Sequence, residues 1–224
     1  MHCSMTLCPI ISLPLHFLLH WKTTTVQIYT MSQTGATFVE AHKVCGYTVE
    51  GVAAFSNGHS NRWKAEKNYE DGLYMGYKWQ CVEFARRWLW KSKGLYLQER
   101  NCAYGYHKHK HVYRPKPAEG GGWTDKSEWE KVPCAYVRQG SRNPPRPHSL
   151  IIYPMSWGSP YGHIGVITDV DLSQNLVFVA DQNRYFHDWG EKTYSAAFPL
   201  HFEKERYYIG DHESTCKGWI EFEF

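Results

Sequence analysis

One cysteine, Cys81, lies in a stretch suited to nucleophilic chemistry, residues 74–89 with the sequence YMGYKWQCVEFARRWL. The spacing of Cys81, Ala85 and Trp88/Leu89 predicts that they share one face of an amphipathic helix starting near the cysteine. Gly94 is a suitable residue to end that helix. A thiol at a helix N-terminus experiences the positive end of the helix dipole, which favours the thiolate. Because the thiolate is the nucleophilic form of cysteine, this placement predicts covalent catalysis.

The candidate general base is His163, near the start of a run rich in β-branched residues, residues 161–170. A polar segment, residues 171–175, separates this run from a second one, residues 176–180, which leads into Asp181. Two such runs joined by a short polar link predict a β-hairpin. The elements that must position the chemistry are therefore one helix and one hairpin.

The expected register of the hairpin brings an acid close to the histidine. If the hairpin is centred near Ser173, the numbers of facing residues sum to 346, and His163 faces Asn183. Asp181 is then the diagonal neighbour of His163 on the same face of the sheet, within reach of its side chain. A carboxylate there can fix the imidazole tautomer and stabilise the imidazolium. The sequence thus predicts a triad of Cys81, His163 and Asp181, provided that the register does not slip by one residue.

Each member of this triad also has a non-catalytic interpretation. A buried cysteine usually behaves as a small hydrophobic residue, and Cys81 is one of seven cysteines. In the non-catalytic interpretation, His163, one of 13 histidines, is a hydrogen-bonded histidine at a strand edge. Asp181 in that case only caps the turn after its strand. The joint occurrence of the three residue types at these elements favours catalysis.

These motifs resemble the amidase domain of glutathionylspermidine and trypanothione synthetases, within the broader family of cysteine, histidine-dependent amidohydrolases and peptidases, the CHAP domains. The resemblance covers residues 44–221 and is most specific in the cysteine helix. It implies an α+β, papain-like fold in which an antiparallel sheet of five or six strands packs against the helix that carries the nucleophilic Cys81. The other similar segments are residues 51–57, 147–153, 162–167, 180–183 and 218–220.

The chain departs from the family pattern in three places. Asp181 stands where these amidases usually carry glutamate, and His148-Ser149 stands where CHAP domains often have Gly-Asp. The insert at residues 101–139 is unlike the usual one. These departures bear mainly on substrate selectivity.

The resemblance implies hydrolysis of the amide between the glycine carboxyl of glutathione and a polyamine such as spermidine. The acyl-enzyme is a thioester on Cys81, and water releases it. The backbone N–H of Cys81 is placed to stabilise the oxyanion, with the Gln80 side chain either a second donor or a helix cap. We expect Asn183 to support His163 or Asp181.

Charged residues on and near the helix are candidates for substrate binding. We expect Arg86, or alternatively Arg87, to bind the carboxylates of glutathione, although a structural ion pair on the helix is an open alternative. The acids that could meet the polyamine ammonium groups are Glu70, Asp71 and Glu83.

Composition limits the remaining possibilities. The 224 residues suffice for one domain with a real core, and we assign it to residues 31–224. Residues 1–30 are expected to be a disordered or mis-assigned extension, with a cryptic targeting segment as the alternative. A net charge of +3 without a basic block argues against nucleic-acid binding, and the apolar residues 7–21 are too short and broken to span a membrane. We expect a cytoplasmic enzyme that needs no cofactor or metal and has no synthetase domain in this chain.

Other interpretations stay open. The chain is alternatively a peptidoglycan-cleaving CHAP endopeptidase or amidase, or a non-catalytic domain that binds a thiol conjugate or senses oxidants through Cys81. The alternating histidines at positions 107, 109 and 111 would share one face of a strand and could bind a metal ion. Their neighbouring lysines oppose a cation, so a solvated loop is the expected structure.

Overall fold

The computed structural model describes residues 37–58 and 66–224, so the predicted extension at residues 1–30 lies outside the described residues. The helical elements of this part are one α-helix, α1 (Cys81–Lys93), and two 3-10 helices, Ala103–Lys108 and Lys126–Glu128. The strands are β1 Val44–Tyr47, β2 Ala53–Phe55, β3 Lys67–Glu70, β4 Leu73–Tyr77, β5 His111–Arg114, β6 Glu130–Arg138, β7 Leu150–Tyr153, β8 His163–Asp171, β9 Leu176–Ala180, β10 Ala196–Glu203, β11 Arg206–Ile209 and β12 Gly218–Phe222.

The described strands form one large sheet and two hairpins. Eight strands pair in the order β11-β10-β9-β8-β7-β12-β6-β5, while β1 pairs with β2 and β3 pairs with β4. Each of these pairs is antiparallel. The centre of the sheet contains β8 and β9, which the sequence predicted at residues 161–170 and 176–180, and β7 and β12, which overlap the family-like segments at residues 147–153 and 218–220.

The expected sheet of five or six strands is wrong, because the insert at residues 101–139 contributes strands. Its His111–Arg114 and Glu130–Arg138 segments pair with each other and extend the sheet beyond β12. Val132 and Cys134 point inward while their neighbours are exposed, as in a strand with one buried face. Pro133 between them is a residue that sheets admit mainly at edges and bulges, and it hides the strand pattern.

The helix α1 is enclosed on most of its surface. Phe84, Trp88 and Leu89 are fully buried, and they join strand residues such as Ile152 and Ile164 in one core. Burying such an apolar side chain stabilises the fold by about 1.5–3 kcal/mol. The predicted C-terminal stop is confirmed, since the residue after the helix is a glycine with φ 63° in the left-handed region. The part of the chain that the structure describes contains no helix of the length and hydrophobicity needed to cross a membrane.

Candidate active site

The predicted hairpin register is confirmed at the end of the hairpin nearest His163 and Asp181. Val166 pairs with Ala180 and Ile167 pairs with Val179, and both pairs of numbers sum to 346. A bulge follows, after which Asp169 pairs with Phe178. The register places His163 at the beginning of β8 and Asp181 directly after β9, on one face of the sheet.

The Asp181 carboxylate reaches the imidazole despite being one methylene shorter than glutamate. Its Oδ2 lies 2.8 Å from Nε2 of His163, and its Oδ1 accepts a hydrogen bond of 2.7 Å from the hydroxyl of Ser195. Asp181 is buried, with 3% of its surface exposed. Both carboxylate oxygens are therefore held, and the bond to Nε2 leaves Nδ1 as the ring nitrogen available on the other side of His163.

Cys81 is the second partner of the His163 imidazole. It is the first residue of α1 and is 8% exposed. Burial by itself lowers the pKa of His163, but electrostatic interaction with Cys81 and hydrogen bonds to Asp181 and Cys81 outweigh burial and raise the pKa to about 9. The imidazole therefore interacts with both the thiol and the carboxylate and keeps its proton at neutral pH.

The charge of the acid is stabilised within the protein. Burial would raise the pKa of the Asp181 carboxyl, but the hydrogen bond and charge of His163, the charge of Arg184 and the Ser195 hydroxyl hold it below its usual value. The pair is thus an imidazolium and a carboxylate near neutral pH. Cys81 and the His163 side chain, 8% and 13% exposed, open only slightly to solvent.

Three other cysteines behave as the sequence interpretation expected of small buried residues. Burial raises the pKa of the Cys45 and Cys134 thiols to about 11 and that of Cys216 to about 12. These thiols stay protonated at neutral pH and are poor nucleophiles. The contact with a histidine therefore distinguishes Cys81 from them.

Gln80 and Asn183 meet each other at the edge of this arrangement. Gln80 is the N-cap residue of α1 but its side chain makes no capping bond, so the capping alternative is wrong. Its Oε1 instead accepts a hydrogen bond of 2.7 Å from Nδ2 of Asn183. Asn183 therefore supports Gln80, whereas the sequence interpretation expected it to support His163 or Asp181.

A buried polar cluster behind the site was not predicted. Gln182 donates to the backbone oxygen of Gln80 (3.2 Å) and to Glu83 (2.9 Å), and it accepts from the backbone N–H of Phe55 (2.8 Å). Glu83 in turn forms an ion pair with Arg87 in which neither side chain is more than 3% exposed. Gln182 thereby fixes the end of β9 against the first turn of α1. Its place between two predicted site residues was the available sequence signal, whereas no pattern pointed to Ser195.

The expected substrate-binding role of Arg86 is wrong. Arg86 is 1% exposed, and its guanidinium donates to the backbone oxygen of Leu97 and to the hydroxyl of Tyr96, both at 2.8 Å. Arg87 is enclosed in the ion pair with Glu83, as the structural alternative expected, whereas Arg86 is held by a backbone oxygen and a hydroxyl and not by an ion pair. Their sequence position on the helix did not reveal that the surrounding loops and strands cover this face as well.

The alternating histidines do not share a site. Nδ1 of His107 lies 2.5 Å from the backbone oxygen of Tyr104, His109 accepts from Arg100, and His111 contacts the hydroxyl of Tyr113. Burial, followed by the charge of Arg100, lowers the pKa of His109 to about 4. Among the described residues there is no group of three or more histidine, cysteine or acidic side chains placed to hold a metal ion.

Comparison with known proteins shows that the CHAP domain matches residues 71–183, a range that contains Cys81, His163 and Asp181. The chain belongs to the CHAP domain family. It is 40% identical to trypanothione synthetase of Crithidia fasciculata over 185 residues. The aligned segment covers 80% of this chain and 26% of that protein. It is 29% identical to the bifunctional glutathionylspermidine synthetase/amidase of Escherichia coli (strain K12) over 148 residues. This second aligned segment covers 62% of this chain and 22% of that protein.

The CHAP chain therefore spans about a quarter of the length of these curated relatives. A further relative, glutathionylspermidine synthase of Crithidia fasciculata, is 25% identical over 181 residues, 73% of this chain and 24% of that protein. Family membership and the likeness to a synthetase/amidase support a hydrolase. The similarity covers the amidase region of these longer proteins.

Proposed function

We propose that this CHAP domain is a cysteine amidase that hydrolyses glutathione–polyamine conjugates such as glutathionylspermidine to glutathione and free polyamine. The observation that carries the proposal is the His163 imidazole, hydrogen-bonded to Asp181 and interacting with Cys81 at the start of α1. The substrate is inferred from the relatives, whose names include a glutathionylspermidine synthetase/amidase.

The reaction begins when the Cys81 sulfur, having given its proton to His163, attacks the amide carbonyl carbon. The developing oxyanion accepts hydrogen bonds from the backbone N–H of Cys81, which has no acceptor within the helix at this first position, and from the Gln80 side chain. The C–N bond then breaks, and His163 transfers its proton to the leaving amine.

Deacylation uses the same groups in reverse. His163 takes a proton from water, the hydroxide attacks the thioester carbonyl, and the C–S bond breaks to release the glycine carboxyl of glutathione. Asp181 keeps the imidazole oriented and stabilises it while it is charged. None of these steps uses a metal or cofactor.

The test is incubation of the purified protein with glutathionylspermidine, with released amine measured by chromatography. We expect amine release by the wild type and a loss of at least about a thousandfold in Cys81→Ala, because the nucleophile is gone. Full activity in Cys81→Ala would refute the mechanism. Release of amine from a cross-linked wall peptide, but not from glutathionylspermidine, would refute the substrate. We expect the enzyme to act in the cytoplasm, which fractionation of the source cells would test.

A further inference from the structure

Three amides form a hydrogen-bonded chain that ends beside Cys81. Nδ2 of Asn57 donates to Oδ1 of Asn183 at 3.1 Å, and Nδ2 of Asn183 donates to Oε1 of Gln80 at 2.7 Å. The three residues come from the loop after β2, the loop after β9 and the N-cap of α1. Each amide in this chain fixes which end of the next amide points towards it.

The direction of the chain determines what Gln80 presents to the site. Because its Oε1 is occupied by Asn183, its Nε2 is turned to the other side, and a nitrogen there is a hydrogen-bond donor. Asn183 has a φ of 65°, a left-handed conformation that few side chains adopt and that asparagine tolerates. Such a conformation is held in place by its surroundings, here by bonds on both ends of the Asn183 amide.

We propose that Asn57 is a positioning residue: through Asn183 it sets the orientation of the Gln80 amide, so that Gln80 donates to the oxyanion. This inference rests on the proposed function for the role of the oxyanion. The backbone of Gln80 is held separately, because its carbonyl oxygen accepts from Gln182. The side-chain orientation can therefore change while the helix start stays in place.

The decisive perturbation is Asn57→Asp, which keeps the shape and removes the donor. Its carboxylate can only accept, so the Asn183 amide turns over and presents its oxygen to Gln80. Gln80 must then donate to Asn183, which turns its own oxygen towards the oxyanion. Asn57→Ala removes the outer contact but allows Asn183 to keep donating. The isosteric variant should therefore be more harmful than the truncation.

The assay is acylation of Cys81 by p-nitrophenyl acetate, followed as the burst of nitrophenolate. This reaction passes through an oxyanion and requires no glutathione conjugate. We expect Asn57→Asp to slow acylation about a hundredfold, the loss typical of one oxyanion donor, and Asn57→Ala to slow it less than tenfold. Alkylation of Cys81 by iodoacetamide, which forms no oxyanion, should be unchanged in both. Asn143→Asp, an exposed change of the same type, is the matched control.

A double-variant cycle separates orientation from added charge. In a Gln80→Ala background Asn57→Asp should have no further effect, because its effect is transmitted through Gln80. The proposal is overturned if Asn57→Asp acylates normally, if Asn57→Ala is equally slow, or if Asn57→Asp still slows the Gln80→Ala variant. Amine release from glutathionylspermidine by the wild type is measured in parallel, so a failure of the proposed substrate is seen separately.

Discussion

Replacing Glu83 with glutamine should strongly destabilise the domain, because it leaves a buried cation without its counter-ion. Glu83 and Arg87 form an ion pair with side chains 0% and 3% exposed. The carboxylate also accepts hydrogen bonds of 2.9 Å each from Asn68 and Gln182. Glutamine keeps only one acceptor oxygen. The other carboxylate oxygen is replaced by an NH2 group, which faces hydrogen-bond donors and cannot accept from them. Breaking one side of a buried pair costs about 3–5 kcal/mol.

The expected cost is large compared with the stability of a domain, which is about 5–15 kcal/mol. For a domain of this size each kcal/mol lowers the Tm by about 2–4 °C, so Glu83→Gln should lower it by about 6–20 °C. Circular dichroism during thermal and urea unfolding measures this. Since buried charges are little screened, the loss should be nearly the same in low and high salt.

The matched control is Glu130→Gln, which breaks the exposed pair of Glu130 with Arg114, side chains 64% and 48% exposed. An exposed pair contributes about 0–1 kcal/mol, so the Tm should hardly move. The double variant Glu83→Leu/Arg87→Met removes both charges and should be more stable than Glu83→Gln. A Glu83→Gln variant as stable as Glu130→Gln would refute this account of the cluster.

Two further predictions concern the acid–base pair. His163 keeps its proton up to about pH 9, so a rate that needs this proton should fall as pH rises through about 9. Asp181→Asn removes a charge and a hydrogen bond that raise this pKa, so the fall should move to lower pH with a loss of kcat on the order of a hundredfold; an unchanged pH profile of kcat would contradict the pairing. Gly165→Ala places a Cβ 3.0 Å from Val179 and 3.2 Å from Asp181, and should cost about 1–3 kcal/mol and reduce kcat. Unfolding curves and amine release check it, and wild-type values for both would show that the acid does not need the glycine.

The hairpin could be predicted from the sequence because its pattern is local. The two apolar runs and the short link determine which residues face each other, and the numbers sum to 346 at Val166 and Ala180. Near the turn, however, Asp171 pairs with Leu176 and the sum is 347. The bulge between Ile167 and Asp169 accounts for the difference. The expected register is thus correct at the site, although the bulge itself had no evident sequence signal.

The surroundings of the helix could not be predicted in the same way. Helical spacing identified the face with Cys81, Ala85 and Trp88 or Leu89, but Glu83, Phe84, Arg86 and Arg87 are buried too. A helix covered on several sides has no polar face from which exposure can be inferred. Whether an arginine on this helix is exposed therefore depends on distant segments, and here the loop containing Leu97 and the end of β9 bury both arginines.

The short acid at position 181 is explained by the residue that faces it. That residue is Gly165, which opposes position 181 in the observed register. Gly165 lies two residues after His163, on the same face of β8. A Cβ at Gly165 would lie 3.2 Å from the Asp181 Cβ, so the glycine leaves the space that the acid occupies. The Asp181 backbone can then approach β8 closely enough for a short side chain to reach Nε2 of His163 at 2.8 Å. Ser195, at 2.7 Å from the other oxygen, keeps the carboxylate from turning away. A short acid at position 181 can therefore reach His163 because the residue opposite it has no side chain. Whether aspartate can serve at this position depends on its cross-strand neighbour.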